Sequence, residues 1–200
     1  MRAGRRHNQS SVLLDFYACF LIPAYTLLFA GSVTWFGTNF SVLAVTGKGH
    51  YRGFVLWGLL AGVYFLVMLM KLTATLSGVW RRGGLYFLIL TACGSLGYAI
   101  LIPYLPDQFP RYARLHVMLA FSACVLVMAA LLVVILSCRR EDKAGYGPLL
   151  WAWLAIAVGC GLLFALAGMV SSALEVFFTI SATLLVRSLW LRRNPPANLS

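Results

Sequence analysis

Polar residues in this chain are gathered into short interruptions between long apolar runs, and the runs lack the two-residue alternation of a half-buried or barrel strand. Six runs, 12–36, 54–79, 85–104, 115–137, 149–170 and 172–191, reach the roughly 20 residues that a helix needs to cross the hydrocarbon layer of a bilayer. Unpaired backbone N–H and C=O groups are costly in lipid, so such runs fold as helices. The pattern predicts an all-α, polytopic helical membrane protein. Six transmembrane helices form one antiparallel bundle, a single membrane domain over 1–200 with cytoplasmic tails at 1–11 and 192–200. The links at Gly83-Gly84 and from Gly168 to Ser172 are so short that the helices they join should pack as antiparallel neighbours.

Composition sharpens this picture. Hydrophobic residues make up 62% of the 200, charged residues only 10%, and the mean hydropathy is +0.87, whereas about 25% of a soluble domain is charged. The net charge of +11 does not point to nucleic acid, because the cations stand in small groups at the ends of apolar runs, where anionic headgroups lie. With the N-terminus inside, Arg2, Arg5, Arg6, Arg81, Arg82, Arg139, Arg140, Lys143, Arg192 and Arg193 all fall on the inner side, and Lys71 and Arg187 lie close enough to it to snorkel. Of the 16 Lys and Arg residues only Lys48, Arg52, Arg111 and Arg114 remain outside. This inward excess places both termini in the cytoplasm. Trp35 and Tyr104 mark the outer boundaries, and Trp80, Tyr146, Trp151 and Trp190 the inner ones. The basic N-terminus resembles a secretory signal, but 12–36 is too long for a signal core and is expected to stay as the first span. Short loops point to a bacterial cytoplasmic membrane.

Small residues should govern the packing. Gly58 and Gly62 form a GxxxG pair, and Ala155, Gly159 and Gly161 a second group, of the kind that lets helix backbones approach closely in lipid. Cys19, Cys93, Cys124, Cys138 and Cys160 show no metal-ligand spacing and read as small buried residues.

Ionisable groups inside a span need a partner, water or a function, and His116 and Glu175 stand out. Helical spacing puts His116 with Ala113, Ala120 and Ala123, opposite Met118, Phe121 and Val125. It puts Glu175 with Ser171, Ser172, Thr179 and Ala182, opposite Phe177, Ile180 and Leu184. Both faces should turn inward at similar depth, lining one polar pocket open to the outside. The alternative of equal weight is a structural pair, bonded to each other or to nearby backbone. The first outer link, with Asn39, Ser41, Lys48, His50 and Arg52, should lie over that pocket as a lid, together with the second, which holds Asp107. His116, Glu175, Asp107, Asn39, Ser41 and His50 are therefore the pocket candidates, and Arg111 and Arg114 the candidates for lipid headgroups. Asp15 is expected to favour the start of the first helix electrostatically.

No reaction is named by a motif. Gly94-Ser95-Leu96-Gly97 lacks the glycine two places before the serine that a nucleophile elbow needs, and Gly47-Lys48-Gly49-His50 is not a phosphate loop. No paired-His motif supports a metal, no cofactor is implied, and no catalytic residue is assigned. Asn39-Phe40-Ser41 fits the glycosylation pattern but lies too near the first span for modification to be expected.

Three short segments, Thr38-Asn39-Phe40-Ser41, Phe109-Pro110 with Leu115-His116, and Ala173-Leu174-Glu175, resemble the six-helix superfamily of damage-regulated autophagy modulator (DRAM-like) proteins and their bacterial relatives. Val176 stands where the eukaryotic branch commonly has tryptophan, and no proline precedes Asn39. The resemblance implies a membrane protein concerned with lipid handling or with regulating membrane-bound partners. The expected function is a lipid-interacting accessory or regulatory factor with membrane lipids as partners. The alternatives are a substrate-binding subunit working with another membrane protein in small-solute transport, and an intramembrane lipid hydrolase or transferase in which Glu175 or Asp107 orients His116.

Overall fold

The computed structural model describes residues 12–31, 34–46 and 50–195. Its helices are α1 (Val12–Ala30), α2 (Phe40–Thr46), α3 (His50–Ala74), α4 (Val79–Leu101), α5 (Pro110–Arg139), α6 (Lys143–Ala167) and α7 (Ser172–Arg193), with no strand among the described residues. All but α2 are long and apolar enough to cross a membrane. The fold is an all-α bundle of the membrane-spanning kind. Its outer surface fits: Trp80 is 95% exposed, Phe87 75% and Trp151 72%, a surface suited to hydrocarbon and a liability in water.

Several boundaries differ from the hydropathy pattern: Gly83 and Gly84, expected as a link, lie inside α4, and the turn before that helix falls at 75–78. Helix α1 stops at Ala30 instead of continuing to Phe36, and the chain turns over 35–37. Within it Tyr17–Leu21 forms a π-helical turn in which the Ile22 N–H donates to the Tyr17 carbonyl. Pro23, which has no N–H, follows immediately and removes the regular bond to residue 19. Helix α5 starts at Pro110, ahead of the apolar run, because proline's fixed φ and missing N–H suit a first turn. Helix α6 is capped by Asp142, whose Oδ1 accepts the Gly145 N–H at 2.9 Å, and it ends on Gly168 at φ 68°.

Helix α3 sits centrally, packed on α1, α2, α4, α5 and α7, while α5, α6 and α7 continue round it and α7 closes on α1. Met68, Leu69, Leu72, Ile89, Leu131, Ile135 and Leu189 are fully buried in the half nearer the termini. A smaller cluster surrounds Phe40 in the other half, with Ala30, Ala44, Phe54, Ile100 and Val176. The small residues divide into two uses. A Cβ on Gly58 would lie 2.3 Å from Ile100 Cδ1 and one on Gly159 2.7 Å from the Phe177 ring, so these glycines permit close helix contact. A Cβ on Gly161 would meet nothing within 4 Å, which signals open space instead.

At the end of the bundle that holds the start of α1, α7 is tied to the rest by charge. Arg187 Nε donates to Asp15 Oδ1 at 2.7 Å. Asp15 thus serves as the partner of the last helix, beyond the helix-start role expected of it. Arg193 pairs with Glu141 and also donates to the Thr75 carbonyl at 3.0 Å, and Lys71 lies over the Trp190 ring at 5.8 Å. Arg2, Arg5, Arg6 and Lys48 lie outside the described residues, as do the tail 1–11 and positions 196–200. The five cysteines are unpaired, and burial is not their common property: Cys138 is buried but Cys19 is exposed on the outer surface.

Candidate functional site

The link between α1 and α3, expected as a polar lid, contains the helix α2 and drives Phe40 into the bundle, where its ring meets Phe29 and Trp57 edge-on at 5.1 and 4.9 Å. Asn39 starts this helix, its Oδ1 accepting the Val42 N–H at 2.9 Å. The first turn of α7 holds the same segment. Ser172 N–H donates to the Thr38 carbonyl at 2.7 Å, Ala173 N–H to the Trp35 carbonyl at 2.9 Å, and Glu175 Oε2 accepts the Phe40 N–H at 2.7 Å.

The next residue, Ser41, places its Oγ 2.7 Å from Nε2 of His116, which is only 2% exposed. His116 Nδ1 lies 2.7 Å from the Ala99 carbonyl and 2.8 Å from the Ile102 carbonyl. Carbonyls only accept, so Nδ1 carries a proton; in the neutral ring Nε2 is then the acceptor and the Ser41 hydroxyl donates. The Ala99 carbonyl lies in the last turn of α4, where it also accepts the Ile102 N–H at 3.3 Å, and the Ile102 carbonyl belongs to the extended residue that follows the helix, free to accept from outside it. His116 and Glu175 do not bond to each other, which corrects one half of the structural alternative. Each holds one of two consecutive residues of α2. The expected orientation of His116 by a carboxylate is likewise replaced, by backbone oxygen.

Asn39, Ser41, Tyr104, His116 and Glu175 stand at one end of a cavity of about 670 Å³ between α3, α4, α5, α6 and α7, within the roughly 300–1,000 Å³ usual for ligand sites. The rest of its wall is largely apolar, which corrects the expectation of a polar pocket. Along α5 it runs from His116 to Leu132, roughly 24 Å at 1.5 Å per residue. The space arises because Gly62, Ala92, Ala120, Ala129, Ala157 and Gly161 supply little side-chain volume to its walls. The lining residues that are also exposed, Val117, Phe121, Val125, Gly161 and Phe164, all lie on α5 and α6, so the opening follows that seam. Cys93, Cys124 and Cys160 line it too.

The remaining candidates lie elsewhere. Asp107 and His50 are exposed and outside the cavity wall, and Arg111 and Arg114 are exposed on the first turns of α5. Among the described residues no three of His, Cys, Asp and Glu are grouped to hold a metal ion, so His50, Asp107, His116 and Glu175 do not converge on one. Reading the sequence did not pair Ser41 with His116, nor find the carbonyls of Ala99 and Ile102, for no side-chain signal marks a backbone acceptor.

Fold and site define a polytopic helical membrane protein with an apolar intramembrane cavity polar at one end. Comparison of the chain with family models, curated proteins and solved structures found no match.

Proposed function

We propose that this integral membrane protein holds the acyl portion of a membrane lipid in the cavity and acts as a lipid-interacting accessory or regulatory factor. The observation that carries the reading is the division of the cavity wall, largely apolar along its length and with Asn39, Ser41, Tyr104, His116, Glu175 and Thr179 gathered toward one end. An acyl chain matches the first part, and an ester or headgroup the second. An opening along α5 and α6 admits such a chain from hydrocarbon without a passage through water. Arg111 and Arg114 precede His116 on α5 and supply cations for a phosphate. The segments that resemble the autophagy-modulator superfamily, Thr38 to Ser41, Leu115-His116 and Ala173 to Glu175, are those that meet at the polar end, which supports the same reading.

The test is lipid retention. Protein extracted from its membrane in mild detergent should carry phospholipid measurable by mass spectrometry, and Gly161→Phe should lower that amount several-fold by filling the cavity. Equal lipid content in a folded Gly161→Phe protein would remove the reading.

The orientation proposed is both termini in the cytoplasm of a bacterial cell, supported by the shared end of Arg81, Arg82, Arg139, Arg140, Lys143, Arg192 and Arg193. Alkaline phosphatase fused after Arg82 should be inactive, and after Asp107 active; the reverse pattern would invert the topology.

A further inference from the structure

Resting on the lipid pocket just proposed, we infer that Ser41 and His116 form an acyl-transfer site, nucleophile and general base, for a long-chain carboxylic ester. Three features of the geometry carry this. The Ser41 hydroxyl lies 2.7 Å from Nε2, the distance at which a base can take its proton. The ring is locked in the needed tautomer, since Nδ1–H is held by the carbonyls of Ala99 and Ile102 and Nε2 is left with its lone pair toward Ser41. The Ala99 carbonyl lies in the last turn of α4 and that of Ile102 just past its end, so two carbonyl dipoles stand where hydrolases commonly place a carboxylate and stabilise the imidazolium that forms.

The cavity adds what a dyad alone lacks. Its apolar length binds the acyl chain and brings the ester carbonyl to the polar end, beside Ser41. Asn39 stands there as well; its Oδ1 is taken by the Val42 N–H, and its amide N–H groups, without a partner among the described residues, are the donors for a developing oxyanion. Glu175 is a positioning residue, holding the backbone N–H of Phe40 and through it the place of Ser41.

The steps balance with water or a second alcohol as the acceptor. Ser41 Oγ bonds to the acyl carbon while its proton passes to Nε2 and the carbonyl electron pair moves to oxygen. Collapse breaks the bond to the leaving oxygen, which takes the proton from Nε2 and departs as an alcohol. The acceptor hydroxyl then attacks the Ser41 ester, gives its proton to Nε2, and Ser41 leaves with that proton restored.

The probe is a hexadecyl fluorophosphonate added to the full-length protein in phosphatidylcholine nanodiscs. Attack by Ser41 expels fluoride and leaves a phosphonyl group detectable on the Ser41 peptide by mass spectrometry. Separately, hexadecylphosphocholine is tested for protection of Cys93, Cys124 and Cys160 from N-ethylmaleimide, with exposed Cys19 as the unprotected control. The wild type should label at Ser41, Ser41→Ala should not, and His116→Gln, which keeps an amide donor for the carbonyls but is no base, should label about 100-fold more slowly. Thiol protection without phosphonylation of wild-type Ser41 would overturn the inference and leave the lipid pocket standing. Equal labelling rates in wild type and His116→Gln would overturn the role of His116 as base. Absence of both protection and labelling would overturn pocket and dyad together.

Discussion

Glu175 on α7 accepts the backbone N–H of Phe40 at 2.7 Å across 135 residues of sequence, so the last helix of the bundle fixes the backbone beside Ser41. Replacing Glu175 by Ala leaves that N–H without its acceptor, at a cost of about 1–3 kcal/mol for a buried unsatisfied donor. Glu175→Gln keeps an acceptor oxygen and should lose less. Thermal unfolding in detergent should rank wild type above Glu175→Gln above Glu175→Ala. An alanine variant as stable as the wild type would show that the contact holds nothing.

The Asp15–Arg187 pair joins the first helix to the last at 2.7 Å, with both side chains partly exposed. Exposure limits its value. A double-mutant cycle with Asp15→Asn and Arg187→Gln should nonetheless return a coupling on the order of 1 kcal/mol, since the contact is direct and charge-assisted. Coupling near zero would reduce the pair to an incidental contact.

Two glycines should respond oppositely to enlargement. Gly58→Leu drives side-chain atoms into Ile100, whose Cδ1 already lies 2.3 Å from an added Cβ, and overpacking of this sort costs about 1–3 kcal/mol. Gly161→Phe enters open space and should leave the melting temperature within a few degrees of wild type. Melting curves measured side by side decide the matter, and a Gly161 variant less stable than the Gly58 variant would contradict the packing described.

Asp142 lies in the turn between α5 and α6, where the Gly145 N–H and, secondarily, Arg192 hold its carboxyl below the usual carboxylate range. A carboxyl lowered in the folded state contributes stability above its unfolded pKa, about 3.9, and that contribution fades as pH falls through the lower folded value. The stability gap between wild type and Asp142→Ala should be full near neutral pH and close progressively below about pH 4. A gap that stays constant down to about pH 3 would assign the effect to something other than the ionised cap.

The inward faces of α5 and α7 were legible because they follow helical geometry: Ala113, His116 and Ala123 are buried while Met118, Phe121 and Val125 are exposed, and Thr179 and Ala182 are buried opposite Leu184. The glycines were only half legible. Gly58 and Gly159 serve close contact as their type suggests, but Gly62 and Gly161 line a cavity, and the same small volume permits either outcome. Helix α2 was not legible, since its 7 residues are too few for a periodic signal and a short helix owes its form to packing, here the burial of Phe40.

The chain alone determined that it holds six runs long and apolar enough to cross hydrocarbon and which stripe of α5 and α7 turns inward, because the cost of backbone and charge in lipid acts residue by residue and 3.6-residue spacing does the rest. Tertiary structure alone decided what His116 and Glu175 touch. Their partners are a serine 75 residues away, the end carbonyls of a neighbouring helix and a backbone N–H 135 residues away. Such bonds depend on distances set only when all the helices are packed, and no local pattern of residue types encodes them.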